Sequence, residues 1–181
     1  MTRRHPHVFG DATVADADAQ THAWEAQKAL ERTNKAKARG EVPSVLEGIT
    51  KGLPSLLRAV KLQKRAARVG FDWPDASFVL DKIREESDEL AIEMAKQAGS
   101  GEPSAEMIEE FGDLMFVYAN LARHMKIDPE AALRGANRKF ERRFHYIEEQ
   151  LARMGKDISE VTLDEMDSLW DEAKAAEKTH K

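Results

Sequence analysis

Two short acidic clusters, Glu85-Glu86-Ser87-Asp88-Glu89 and Glu109-Glu110-Phe111-Gly112-Asp113, lie within sequence that otherwise builds helix cores, with twenty residues between Glu89 and Glu110. In the first segment the apolar register runs Val79, Ile83, Leu90 and Met94, and the position that completes the stepping is Glu86. Glu89 projects from nearly the same face, because residues three apart on a helix are side by side. The second segment has Met107, Phe111, Leu114, Tyr118 and Leu121 as its stripe, with Glu110 and Asp113 on the flank, again three apart. Carboxylates converging between packed helices cannot all stay ionised, since burial and like-charge repulsion both favour protonation. A hard divalent cation resolves the conflict. Mg²⁺ takes oxygen ligands and keeps waters and phosphates among them, and facing helices of a bundle are a known scaffold for such sites. The competing reading is a pair of solvated helix faces in a chain that is 34% charged. Alignment of both acid pairs with core stripes favours the buried site.

A second group of candidates follows Pro129. Arg134, Arg138, Lys139, Arg142 and Arg143 crowd one segment, with Arg138 and Arg142, and Lys139 and Arg143, each one helical turn apart. Arginine reads phosphate oxygens bidentately and lysine acts as a point charge, so Lys139, Arg142 and Arg143 are candidate phosphate contacts. Trp170, with Lys174 four residues later, is a candidate wall for a nucleobase, and Trp73 is another aromatic candidate. No histidine pairs with a Ser or Cys in a nucleophilic arrangement. The P-loop pattern is absent.

The elements that position these groups are helical throughout. Gly40, Pro43, Gly48, Gly52 and Pro54 mark a linker, after which a helix starts near Pro54 and ends at Gly70. The acidic helices are expected at about 76–98 and from the turn Gly99-Ser100-Gly101-Glu102-Pro103 to Met125. Asp128-Pro129 reads as an N-cap with proline at the first helical position, opening a helix that Gly155 stops. Thr162-Leu163-Asp164-Glu165 has the form of a capping box before a last helix. Long helices joined by short turns predict an all-α antiparallel four-helix bundle in residues 54–181, preceded by an arm, residues 1–53, with little core of its own. The 181 residues carry a net charge of −5 and no cysteine, which excludes disulfides and thiolate metal sites and argues against generic nucleic-acid binding. No apolar run approaches a membrane span or a signal peptide, so a cytoplasmic protein is expected.

The pattern Glu85-Glu86-x-x-Glu89, then Glu110-x-x-Asp113, resembles the signature of the MazG nucleoside triphosphate pyrophosphohydrolases. The resemblance extends through Lys61-Leu62-Gln63-Lys64-Arg65, Gly70-Phe71-Asp72-Trp73 and Asn137-Arg138-Lys139-Phe140-Glu141-Arg142-Arg143-Phe144, and covers about residues 54–178. Arg3-Arg4-His5-Pro6-His7-Val8-Phe9 is similar to the end of the first module of two-module members, so the chain is expected to correspond to the C-terminal module. The resemblance implies a homodimer that hydrolyses nucleoside triphosphates to the monophosphate and pyrophosphate, by attack of an Mg²⁺-activated water at the α-phosphorus, with Mn²⁺ as an alternative ion. Glu86, Glu89, Glu110 and Asp113 would be the metal ligands, with Glu85 orienting water. Lys82, Lys139, Arg142 and Arg143 would contact phosphates, and Trp170 and Lys174 the nucleoside. The alternative is a non-catalytic nucleotide-sensing or dimerisation module on the same bundle.

Overall fold

A computed structural model describes residues 27–31, 33–34, 36–97 and 101–179. In the N-terminal arm residues 27–31, 33–34 and 36–39 are helical, and the Arg3–Phe9 motif lies outside the described residues. The main helices are α1 (Ser55–Ala67), α2 (Ala76–Lys96), α3 (Ala105–His124), α4 (Pro129–Arg153) and α5 (Leu163–Thr179), with a 3-10 turn at Ile158–Glu160. Among the described residues there is no strand, so the all-α expectation holds. The chain divides into two compact units that meet between Met125 and Lys126.

Local sequence sets most of the boundaries. The Asp75 side chain accepts from Ser77 N to cap α2, Ser104 accepts from Met107 N to cap α3, and Asp128 accepts from Ala131 N to cap α4. Each supplies an acceptor to a backbone N–H that the first turn leaves without a partner. The expected capping box is present at α5, where Glu165 N donates to Thr162 Oγ1 and Thr162 N donates to Glu165 Oε2, both at 3.3 Å. At the end of α1 the chain reverses through Gly70, whose φ of +87° favours a residue without a Cβ.

In the first unit α3 packs against both α1 and α2. The α2–α3 pair is antiparallel and is tied at both ends. At one end Ser104 N donates to Gln97 Oε1 at 2.9 Å. At the other, Arg123 reaches the loop before α2 and grips the Asp72 carboxylate with two nitrogens, while its Nε donates to Asn120 Oδ1 at 2.8 Å. Gln63 Nε2 of α1 donates to the Phe116 carbonyl of α3 at 2.8 Å. Small side chains, Ala59 and Ala119, are buried and leave room for closely packed backbones. The second unit is the α4–α5 pair, cored by Ile147, Leu151 and Leu169 with Phe144, Ile158, Val161, Met166 and Trp170 against them.

The apolar stripes hold only in part. Val79 is fully buried, but Met94, Phe111 and Tyr118 are 57%, 56% and 47% exposed. The reason is the position of α3 between two neighbours. Val117, Ala119 and Asn120 face those neighbours and are buried, so residues lying between the two contact faces stay open.

Hydrogen bonds from Arg123 are the largest cause holding the Asp72 carboxyl below the usual carboxylate range. The folded protein therefore binds this proton more weakly than the unfolded chain does. The pair stabilises the fold fully above the ordinary carboxylate pKa, and that stabilisation is lost as pH falls through the depressed native value. Asp72→Ala is expected to cost about 2 kcal/mol at neutral pH. In thermal melts followed by circular dichroism, the gap from the unmodified protein should close as pH falls below about 4.

Candidate active site

The buried position predicted for residue 86 is observed. Glu86, on the middle of α2, is 5% exposed. Carboxylate oxygens of Glu86, Glu89 and Glu110 all lie within 4.8 Å of one another, which brings the two sequence clusters together across the α2–α3 seam. Asp113 lies one turn along α3 from Glu110, exposed and outside that trio. Its charge still reaches the group. The Glu110 carboxyl is pushed above its ordinary pKa, first by desolvation, then by the charges of Glu89, Glu86, Asp113 and Glu109.

Lys82, one turn before Glu86, lies 2.8 Å from Glu85 Oε1 and 2.8 Å from Glu86 Oε1. These hydrogen bonds, to Glu85 first and Glu86 next, raise the ammonium pKa further above its ordinary value. Lys82 therefore serves the acids directly, a pairing legible in the three- and four-residue spacing on one helix.

The donor set suits a hard cation. Three carboxylates without histidine or cysteine match Mg²⁺ or Mn²⁺ and not the softer metals. Oxygens sharing one octahedral Mg²⁺ at 2.0–2.1 Å are at most about 4.2 Å apart. Side-chain adjustments of a fraction of an ångström would bring the observed trio within that limit.

The predicted cations belong to the second unit. Arg143 donates through Nε and Nη2 to Glu177 Oε2 at 3.0 and 2.8 Å, and Arg142 Nη2 reaches Glu177 Oε1 at 3.2 Å. Hydrogen bonding from Arg143 is the main reason the Glu177 carboxyl is held below its usual pKa. The Arg143 guanidinium also sits 5.4 Å from the centroid of the Trp170 ring, which Phe140 approaches at 5.4 Å. Trp170 is half-buried in the α4–α5 core, and Lys174 is paired with Asp171 at 2.8 Å. Lys139, Arg142, Arg143, Lys174 and Glu177 line an open cleft of 720 Å³ within this unit. Sequence reasoning missed Glu177, because it pairs with arginines 34 and 35 residues away and no local pattern marks it.

Known proteins resemble this chain over nearly its whole length. Residues 76–147, which contain both acidic clusters, match the MazG nucleotide pyrophosphohydrolase domain. Over 177 residues the chain is 43% identical to a nucleoside triphosphate pyrophosphohydrolase of Escherichia coli K12, covering 98% of this chain and 64% of that protein. It is 39% identical over 180 residues to the nucleoside triphosphate pyrophosphohydrolase/pyrophosphatase MazG of Thermotoga maritima, covering 99% of this chain and 63% of the relative. The Bacillus subtilis protein YabN is 42% identical over 178 residues, which make up 34% of its own length. The chain thus spans less than two thirds of the length of these relatives.

Two outcomes are expected. With chelator present, Glu110→Gln should raise the melting temperature at neutral pH, since it removes a desolvated charge among like charges. The gain should vanish at acid pH, where the carboxyl is protonated in either state. Glu177→Gln should tighten the binding of inorganic pyrophosphate severalfold in calorimetry, because both guanidinium groups lose a competing anion. Unchanged affinity would show that the Glu177 pairs do not compete with phosphate.

Proposed function

We propose that this chain is a dimeric nucleoside triphosphate pyrophosphohydrolase, releasing nucleoside monophosphate and pyrophosphate with Mg²⁺, or Mn²⁺, at Glu86, Glu89, Glu110 and Asp113. The observation that carries the reading is the convergence of three carboxylates from α2 and α3 inside the segment that matches the MazG domain. The names of the relatives over nearly the whole chain support the same reaction. When bound, the metal ion supplies charge neutralisation and water activation.

The chain's own residues have these parts. Glu86, Glu89, Glu110 and Asp113 would hold the ion. Lys82 pairs with Glu85 and Glu86, and Glu85 would orient the water that attacks the α-phosphorus. Lys139, Arg142 and Arg143, which line the cleft of the second unit, would be phosphate contacts. Trp170 and Lys174 would contact the nucleoside, and Arg143 and Phe140 each lie 5.4 Å from the Trp170 ring centroid. Correspondence to the C-terminal module of a two-module protein belongs to the same proposal and requires relatives longer than this chain, which they are.

The dimer is supported by uncovered apolar surface in the first unit. Ile108 and Phe111 of α3 join Leu90 and Met94 of α2 in lining a cleft of 640 Å³, and Ile108 is 60% exposed. A second copy that covers this cleft would complete the bundle that α1, α2 and α3 leave open.

Incubation with mixed nucleoside triphosphates and Mg²⁺ should yield monophosphate and pyrophosphate. Diphosphate with orthophosphate, or no product, would refute the assignment. Glu86→Gln should keep the fold and lower turnover by about 100-fold or more.

A further inference from the structure

Glu86 is the most deeply buried of the gathered acids, with 7% of its side chain exposed, and it has a partner of opposite charge. The Lys82 ammonium, one turn earlier on α2, lies 2.8 Å from its Oε1 and 2.8 Å from Oε1 of Glu85. Among the described residues it is the one cation paired with a member of the Glu86, Glu89 and Glu110 trio.

Burial separates this pair from its neighbours on the same helix. Arg84 and Asp81 are also paired, but both side chains are 71% exposed, and water screens such charges so well that the pair adds little. Glu86 has lost most of its hydration. Removing the counter-charge of a buried carboxylate is strongly destabilising, because the charge left behind has neither water nor partner. The need can be met by the ammonium or by a divalent cation. Both cannot press on one carboxylate without repelling each other at close range. Lys82 is able to give way. Its charge rides on a long flexible stem, 29% of its side chain is exposed, and Glu85, 58% exposed, remains as a second partner.

We propose that Lys82 is the internal counter-ion of this site, holding Glu86 when no divalent cation does and yielding that carboxylate when one binds. The proposal rests on the metal reading of the acid trio given above. Lys82 is then a positioning residue that acts through Glu86. Its charge keeps the acid cluster compatible with the fold, and it also lowers the affinity with which an ion is held before substrate oxygens join it.

Calorimetry with Mn²⁺ alone, on the full chain without nucleotide, reads the competition. Lys82→Met should bind Mn²⁺ about tenfold more tightly than the unmodified protein, because the ion no longer displaces an ammonium. Melting temperature gives a second readout. Lys82→Met should melt below the unmodified protein in chelator, and saturating Mn²⁺ should close that gap. Lys82→Arg, which keeps the charge, should restore the unmodified behaviour in both measurements. A lysine with a merely structural role would lower the melting temperature equally with and without Mn²⁺ and leave the affinity unchanged, and either result overturns the proposal. So does a Lys82→Met chain that fails to fold even in Mn²⁺, since the ion would then not replace the lost charge. The two readings fail differently. Tightened Mn²⁺ binding by Lys82→Met, with no pyrophosphate released by the unmodified protein, refutes the activity. Hydrolysis by the unmodified protein, with equal Mn²⁺ affinity in the two chains, refutes the counter-ion. Absence of Mn²⁺ binding by either chain at millimolar concentration overturns the metal site and the counter-ion together.

Discussion

Mutual repulsion of carboxylates gathered at the α2–α3 seam is the constraint around which the first unit is arranged. Left alone, the like charges of Glu86, Glu89 and Glu110 would drive the two helices apart. The fold counters this by pinning the hairpin at both ends, through Gln97 with Ser104 and through Arg123 with Asp72. It also brings Lys82 up beside the most deeply buried of the acids. The same pinning keeps the oxygens within 4.8 Å of one another, a small side-chain adjustment away from sharing one small cation. Tolerance of the repulsion and the gathering of the acids are thus two results of one geometry.

Much of this was legible in the sequence where the signal is local. Asp128-Pro129 and the Thr162–Glu165 box depend on contacts a few residues long, and both appear as read. The burial of Glu86 could be foreseen because an acid occupied a step of an apolar register. The same logic applies to Gln63, which follows Ala59 by one turn on the buried face of α1, yet it was quoted only as part of a motif. What the sequence did not reveal depends on partners distant along the chain. The exposure of Phe111 and Tyr118 follows from where α1 and α2 contact α3, and the pairing of Glu177 with Arg142 and Arg143 from how α5 returns along α4. Periodicity reports that a helix has an apolar face, and not how much of that face its neighbours reach.

The two units meet their polar demands differently. In the first, the buried polar groups are Glu86, Gln63 and Asn120, and Gln63 keeps an acceptor without a partner. In the second, Arg143 is satisfied twice over, by Glu177 and by the Trp170 ring, around an ordinary aliphatic and aromatic core. Arg142 shares that glutamate, so one carboxylate serves two guanidinium groups.

The Arg123–Asp72 clasp also bears on how the chain reaches its native state. It joins residues 51 apart, so its formation requires closing a long loop, whereas the helix caps form within one turn. Loop-closure entropy places such a contact after the local caps. Weakening the clasp should consequently act mainly on the rate of unfolding, leaving the refolding rate nearly untouched. The clasp is in that sense a device for the lifetime of the native state, more than for the speed at which it is attained.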